Sequence, residues 1–276
     1  MNEATEHVRK VWDDQANSWY AQREALLAAS RPVHEWLVRS VDPKPGHRLI
    51  EIAAGPGDTG FLAAPLLGDG RLVSTDIAPS MVDAARKRGA ELGIVNADYQ
   101  VADAQAMDFD DASFDGAICR WGFMLMPDPS AAFRETRRIL KPGGRLAFAV
   151  FTGPAENPWV SIPVGVLRGA GHLPPPAAEW QPGILALADR SRLQALVDGA
   201  GFTSTLEPIS MAWTFANPDE YWTFLIEVTA LGPVFRALSG AARDAVRAAI
   251  DARLAEYAGA GGITLPARCW GGLAIR

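Results

Sequence analysis

Cysteine is almost absent from these 276 residues: Cys119 and Cys269 stand alone and carry no metal-binding spacing. That excludes a cysteine metal site and makes a reduced, cytoplasmic compartment the expected home. Histidine is scarce too, limited to His7, His34, His47 and His172. Basic residues are outnumbered, 26 Lys and Arg against 32 Asp and Glu, for a formal charge of −6. With no Lys/Arg run, the concentrated basic stripe of a nucleic-acid surface is missing, so no nucleic-acid partner is expected. No stretch approaches the ~18 apolar residues of a membrane span. Residues 1–10 are polar and charged, so no secretory signal is expected either.

What the chain does have is core-forming material. Hydrophobic residues make up 49% and charged residues 21%, enough for a sizeable core in one α/β domain with insertions. Val8, Val11, Trp12, Gln15, Ala16 and Trp19 recur at three- and four-residue spacing, which predicts a helix over 3–29. A second short helix is predicted over 33–40, after Pro32, which suits a first helical position. From residue 47 strands and helices alternate. Strands are predicted at 48–53, 71–75, 99–102, 114–120 and 145–151, with helices at 59–67, 79–92 and 129–140 between them. Such alternation implies right-handed crossovers and a parallel sheet. After Phe151 the rhythm breaks. Residues 153–188, with Pro174, Pro175 and Pro176 in succession, read as an irregular insertion. A helix at 189–200, a strand at 203–215, a helical stretch over 218–258 and a last strand at 268–275 complete the expectation.

The chain turns on Glu51-Ile52-Ala53-Ala54-Gly55-Pro56-Gly57-Asp58-Thr59-Gly60. An apolar strand ends there in a glycine-rich corner and passes into a helix. Gly55 and Gly57 tolerate positive φ and carry no Cβ to keep a ligand off the backbone, and the helix start offers free amides. Gly55-x-Gly57-x-x-Gly60 with Asp76 about 20 residues on also fits a dinucleotide fingerprint. Gly55, Asp76, Asp103 and Arg120 all fall at carboxyl ends of strands, where open α/β sheets bind ligands.

Three features favour S-adenosylmethionine over a nicotinamide cofactor. Glu51 stands beside the turn, where a dinucleotide site, already holding an anionic pyrophosphate, usually has an apolar residue. Asp103-Ala104 closes the third strand, where a carboxylate can accept from an adenine amino group. Leu140-Lys141-Pro142-Gly143-Gly144 precedes the fifth strand.

With Thr75-Asp76-Ile77-Ala78-Pro79-Ser80-Met81 and Ser113-Phe114-Asp115, these motifs make the chain resemble a class I, Rossmann-like S-adenosylmethionine-dependent methyltransferase. The likeness covers roughly residues 10–151 and is nearest to the small-molecule group that includes the ubiquinone/menaquinone C-methyltransferases. It implies an α/β fold with a seven-stranded, mostly parallel, doubly wound sheet whose last strand is antiparallel. An N-terminal helical cap (1–46), a cofactor-binding core (47–151) and insertions after strands 5 and 6 (152–188 and 217–262) would form one domain over 1–276. The resemblance further implies that Gly55 and Gly57 pass under the methionine portion while Glu51, with Ala53, holds the turn. Asp76 would accept from the ribose hydroxyls, with Ile77 and Met81 against the adenine and Asp103 and Ala104 reading its edge. The backbone of Arg120 and Trp121 would approach the cofactor's amino group, and Trp19 would belong to the closing cap.

The expected reaction is in-line methyl transfer to an O or C atom of a small, apolar or aromatic acceptor, by a monomer or homodimer. Alignment at about 3–3.5 Å can be worth some 7–11 kcal/mol, against about 3–5 for a general base, so an inconspicuous base is no obstacle. Among the histidines, His172 is the candidate base, with Tyr20 and Tyr221 beside it. Tyr20, Phe123, Met124, Trp159, Trp213 and Trp222 are the candidate acceptor walls. No metal is expected. A non-catalytic S-adenosylmethionine-binding protein and an NAD(P)-dependent oxidoreductase are the alternative readings.

Overall fold

A computed structural model describes residues 3–175 and 180–276; Pro176, the end of the proline triplet, lies outside them. The chain begins with one helix, α1 (Glu3–Val41), in place of the two expected. Pro32 sits inside it without an N–H for the preceding turn, a defect worth about 3 kcal/mol. Val33, Trp36, Leu37 and Val41 are all buried by continuing the same helix, at about 1.5–3 kcal/mol each, and the packing wins.

Next come β1 (Arg48–Ile52), α2 (Asp58–Ala63, extended by a 3₁₀ turn to Leu67), β2 (Arg71–Asp76) and α3 (Pro79–Glu91). Then follow β3 (Ala97–Val101), β4 (Phe114–Arg120) and α4 (Pro129–Ile139), which the Asp128 side chain caps through the Ala131 N–H. β5 (Leu140–Phe151) begins earlier than expected. Its Lys141–Gly144 segment is absorbed into the strand as an irregularity, because Gly143 N–H donates to the Arg276 carbonyl and Arg276 N–H to that of Gly144.

The region expected to be irregular contains α5 (Pro158–Gly169), since Pro158 occupies a first helical position and Trp159, Val160 and Leu167 are buried. α6 (Arg190–Gly199) and β6 (Thr203–Phe215) agree with expectation. The long helical stretch is three helices, α7 (Pro218–Glu227), α8 (Gly232–Ala237) and α9 (Gly240–Leu254), broken at Gly232 and at Ser239, which caps α9. A two-residue strand β7 (Ala258–Gly259) precedes β8 (Gly262–Ile275). β8 is nearly twice the expected length. Ile263, Leu265, Ala267 and Cys269 alternate inward, and Pro266 is tolerated because it lies between the stretches paired to β7 and β5, where Ala212 of β6 is its one register partner among the described residues.

The sheet runs β3-β2-β1-β4-β5-β8-β6, with β7 paired to β8 off this path. Pairs from β3 through β5 are parallel, and β8 is antiparallel to both β5 and β6. The mostly parallel sheet with an antiparallel last strand is therefore present, with eight strands among the described residues, because β7 adds one. Ile50 faces Val73 on one side and Ala117 on the other. The chain reverses its direction of travel between β1 and β4, and ligands of such sheets bind at that switch.

Candidate functional site

At the end of β1 the chain turns through left-handed conformations at Ala53 (φ 51°), Gly55 (φ 55°) and Gly57 (φ 86°). A Cβ on Gly55 would meet nothing nearer than the Met81 sulfur at 4.0 Å, so this glycine opens onto free space. Gly57 is a different case. A Cβ there would lie 2.6 Å from the Phe61 ring, and the residue caps α2 without lining the cavity. Its expected contact with a ligand is corrected to a turn-and-packing role.

Glu51 is likewise beneath the turn and away from the cavity. Its carboxyl faces the Gly60 N–H and the Thr59 hydroxyl, and burial pushes its pKa up to about 8. Thr59 Oγ1 also pairs with His34 Nδ1 at 2.9 Å, and His34 Nε2 with Ser30 Oγ at 2.9 Å. Burial, reinforced by the Arg120 charge, lowers His34 to about 2. This buried relay ties α1 to the start of α2. Sequence reasoning missed it, having singled out His172 alone among the histidines.

Asp76 ends β2 with both oxygens engaged: Oδ2 accepts from Gly55 N–H at 2.9 Å and Oδ1 from Ala78 N–H at 3.0 Å. Burial raises its pKa despite those donors. Ile77 and Met81 line the same cavity, with Met81 packed among Ala16, Ala78, Trp12 and Trp19. Past β3, Asp103 and Ala104 line it as well. Asp103 Oδ1 accepts from the Gln105 N–H at 2.9 Å and from Gln105 Nε2 at 3.0 Å. Gln105, unforeseen, also reaches Thr5 of α1 and accepts from Asp128 N–H at 2.7 Å.

At the end of β4, Trp121 holds φ 61°, a costly conformation for a bulky residue. Its ring stacks on Phe151 at 4.6 Å and its indole N–H donates to Cys269 Sγ. The Arg120 guanidinium lies 4.5 Å from the Trp121 ring and 5.8 Å from that of Trp19.

These strand ends open into one cavity of about 1160 Å³, its solvent-filled mouth included. α1 roofs it with Val8, Trp12, Trp19 and Leu26, and the Trp19 indole donates to the Val228 carbonyl at 3.0 Å. Met124, Trp159 and Trp213 line the same cavity. Ile184, Phe224, Val228 and Thr229 join them unforeseen. Two buried donors on its walls, Arg120 Nε and Trp213 Nε1, lack hydrogen-bond partners among the described residues.

Five further expected residues lie elsewhere. Phe123 is in the core, stacked on Phe133 at 4.0 Å, because the turn after β4 sends it inward and Met124 outward. Trp222 packs on Phe235, on the opposite side of α7 from Phe224. Tyr20 lies outside the cavity, its hydroxyl donating to Glu91 and its ring flanked by Arg23 and Lys87. His172 is exposed beyond the end of α5. Tyr221, the other candidate base, is buried, and its hydroxyl donates to the Trp159 carbonyl at 2.7 Å. No histidine lines the cavity among the described residues.

Comparison with known proteins accords with this geometry. Residues 51–148 match a family described as a methyltransferase domain. The chain is 36% identical over 119 residues to the ubiquinone/menaquinone biosynthesis C-methyltransferase UbiE of Pasteurella multocida, covering 42% of this chain and 44% of that protein. It is 31% identical over 170 residues to the UbiE of Cellvibrio japonicus, covering 58% and 68%. The chain thus spans less than half of the first relative and about two thirds of the second. Among solved structures, the YcgJ protein of Bacillus subtilis superposes with a TM-score of 0.62 at 19% identity, over 88% of this chain and 97% of that one, a likeness of fold.

Proposed function

The chain belongs to the class I S-adenosylmethionine-dependent methyltransferases, and from that membership we propose that it methylates a small apolar or aromatic molecule at carbon or oxygen. The reading rests on the continuity of one cavity, which joins Asp76 and Asp103 at the strand ends to Trp121, Trp159 and Trp213. The residues fit the cofactor: Gly55 leaves open space at the turn, and Asp76 and Asp103 offer acidic acceptors side by side on the rim. Asp76 would hold the ribose, Ile77 and Met81 the adenine face, Asp103 and Ala104 the adenine edge, and Gly55 would underlie the amino-acid end. When bound, the cofactor supplies a methyl group already activated on a cationic sulfur.

The protein's own task is then alignment and exclusion of water. Trp19, bonded to the Val228 carbonyl, closes α1 over the cavity, and the aromatic walls orient a flat or apolar acceptor. With positioning worth more than proton transfer, a cavity without histidine suffices for an acceptor that is already nucleophilic. The name of the UbiE relatives favours carbon as the methylated atom. A cytoplasmic monomer or homodimer acting on a small molecule is part of this proposal; among the described residues no helix is long and apolar enough to cross a membrane.

The test is incubation with S-adenosylmethionine and a panel of aromatic and apolar acceptors, read by mass spectrometry. A methylated product formed with S-adenosylhomocysteine is expected. Tight cofactor binding with no turnover across the panel would mark a non-catalytic binder instead.

A further inference from the structure

Arg120 occupies an unusual position for a cation. It ends β4, beside the β1 turn, at the point where the sheet reverses direction. Among the described residues lining the cavity it is the one basic residue. Its Nε is buried without a hydrogen-bond partner, and no carboxylate among the described residues comes within ion-pair distance. Asp58 and Glu51 act on it electrostatically, but from beyond that distance and from outside the cavity: Asp58 is shared with Arg88, 4.0 Å from its carboxylate, and Glu51 is turned to Thr59 and Gly60 beneath the turn. What the guanidinium does have is two indole faces, Trp121 at 4.5 Å and Trp19 at 5.8 Å. Aromatic faces hold the flat group in place and soften its isolation, but they do not neutralise it. The residue is half-buried, its Nε donor is unspent, and the cavity it lines is the side from which an acceptor can come.

We propose that Arg120 receives a carboxylate carried by the methyl acceptor in the cavity. The identity of the molecule that enters rests on the methyl-transfer reading; the charge it carries rests on the unpartnered guanidinium. A planar guanidinium matches a carboxylate bidentately, and one cation neutralises one monoanion. A phosphate would need more positive charge than this cavity holds. Under this assignment the site prefers an apolar or aromatic acid over its uncharged counterpart, with the walls of Met124, Trp159, Trp213 and Phe224 taking the apolar body.

Two matched pairs of probes separate acceptor from cofactor: 2-naphthoate against 2-naphthamide, and S-adenosylhomocysteine against its carboxamide. Each is titrated calorimetrically into the wild-type protein, Arg120→Lys and Arg120→Gln. In the naphthyl pair the acid should bind about 10- to 100-fold more tightly than the amide in the wild type. That ratio should fall to near one in Arg120→Gln and stay intermediate in Arg120→Lys. A ratio that responds only in the adenosyl pair assigns Arg120 to the cofactor and overturns the proposal. Should Arg120→Gln fail to fold, Arg120→Lys still reports the ratio. A naphthyl ratio near one in the wild type, or one unchanged by Arg120→Gln, overturns the assignment. A naphthoate preference in a protein that binds neither adenosyl probe would refute the methyl-transfer reading while leaving Arg120 as the carboxylate receptor. Binding of none of the four overturns both.

Discussion

The Asp76 carboxylate accepts a hydrogen bond from the Gly55 N–H at 2.9 Å, so the end of β2 fixes the glycine turn that follows β1. One side chain therefore sets the shape of the turn and presents acidic oxygen to the cavity. Asp76→Ala should weaken binding of S-adenosylhomocysteine by about 1–3 kcal/mol, the usual loss for a hydrogen bond to a charged group. Asp76→Asn, which keeps one acceptor oxygen, should lose less. Calorimetric titration of both variants checks this, and an unchanged dissociation constant in Asp76→Ala would remove Asp76 from the ribose site.

Gly55 and Gly57 share a motif but should fail differently. A methyl group on Gly57 meets the Phe61 ring at 2.6 Å, and φ 86° strains any replacement. Gly57→Ala should therefore destabilise the fold by about 1–3 kcal/mol. At Gly55 the added methyl points into open space at φ 55°, so stability should fall by about 1 kcal/mol while ligand affinity drops more sharply. Denaturation curves set beside titrations of the two variants separate the roles; equal losses of stability would contradict the distinction.

Trp19 reaches across the cavity to the Val228 carbonyl, 209 residues away in sequence. Trp19→Phe keeps the ring and removes the donor. The expected result is a loss of about 1 kcal/mol in cofactor affinity and faster proteolytic cleavage within the first turns of α1. Cleavage at the wild-type rate would show that this bond does not hold the roof.

Glu51 and His34 give stability a calculable pH dependence. Glu51 titrates near pH 8 in the folded chain against 4.5 in isolation, so its contribution is complete below pH 4.5 and is lost as pH rises toward 8. At about 1.4 kcal/mol per pH unit, the loss amounts to about 3–5 kcal/mol. Asp58 and Asp76, raised in the same way by burial, add to the decline. His34, lowered from 6.5 to about 2, acts in the opposite sense: its contribution is present above pH 6.5 and is lost on acidification. Urea denaturation from pH 5 to 9 should show a falling alkaline limb in the wild type and a flatter one in Glu51→Gln. His34→Gln should flatten the acid limb. A wild-type curve level through pH 8 would contradict the burial of Glu51 as a neutral acid.

Much of the cavity's rim was legible in the chain because each of its residues lies at the end of its own strand. Gly55, Asp76, Asp103 and Arg120 need only the local rule that strand ends face the ligand. The acceptor walls depend on directions that local patterns do not encode. Phe123 and Met124 are neighbours that part inward and outward after β4, and nothing in the pair says which goes where. On α7 the choice fell on Trp222, whereas Phe224 and Val228, the residue that caps the helix end, carry the four-residue spacing of one face toward the cavity. Pro32 and Pro158 misled in opposite ways. The first was read as a helix boundary and is overridden by buried packing on α1; the second was read as part of an irregular run and starts α5. Long-range hydrogen bonds such as Trp19 to Val228 have no trace in local spacing.

Calorimetric titration of the wild-type protein with S-adenosylhomocysteine, and separately with NAD, tests the central claim most directly. Saturable binding of the adenosyl ligand, with none of NAD, is the predicted result. Binding of NAD alone, or of neither, would contradict it.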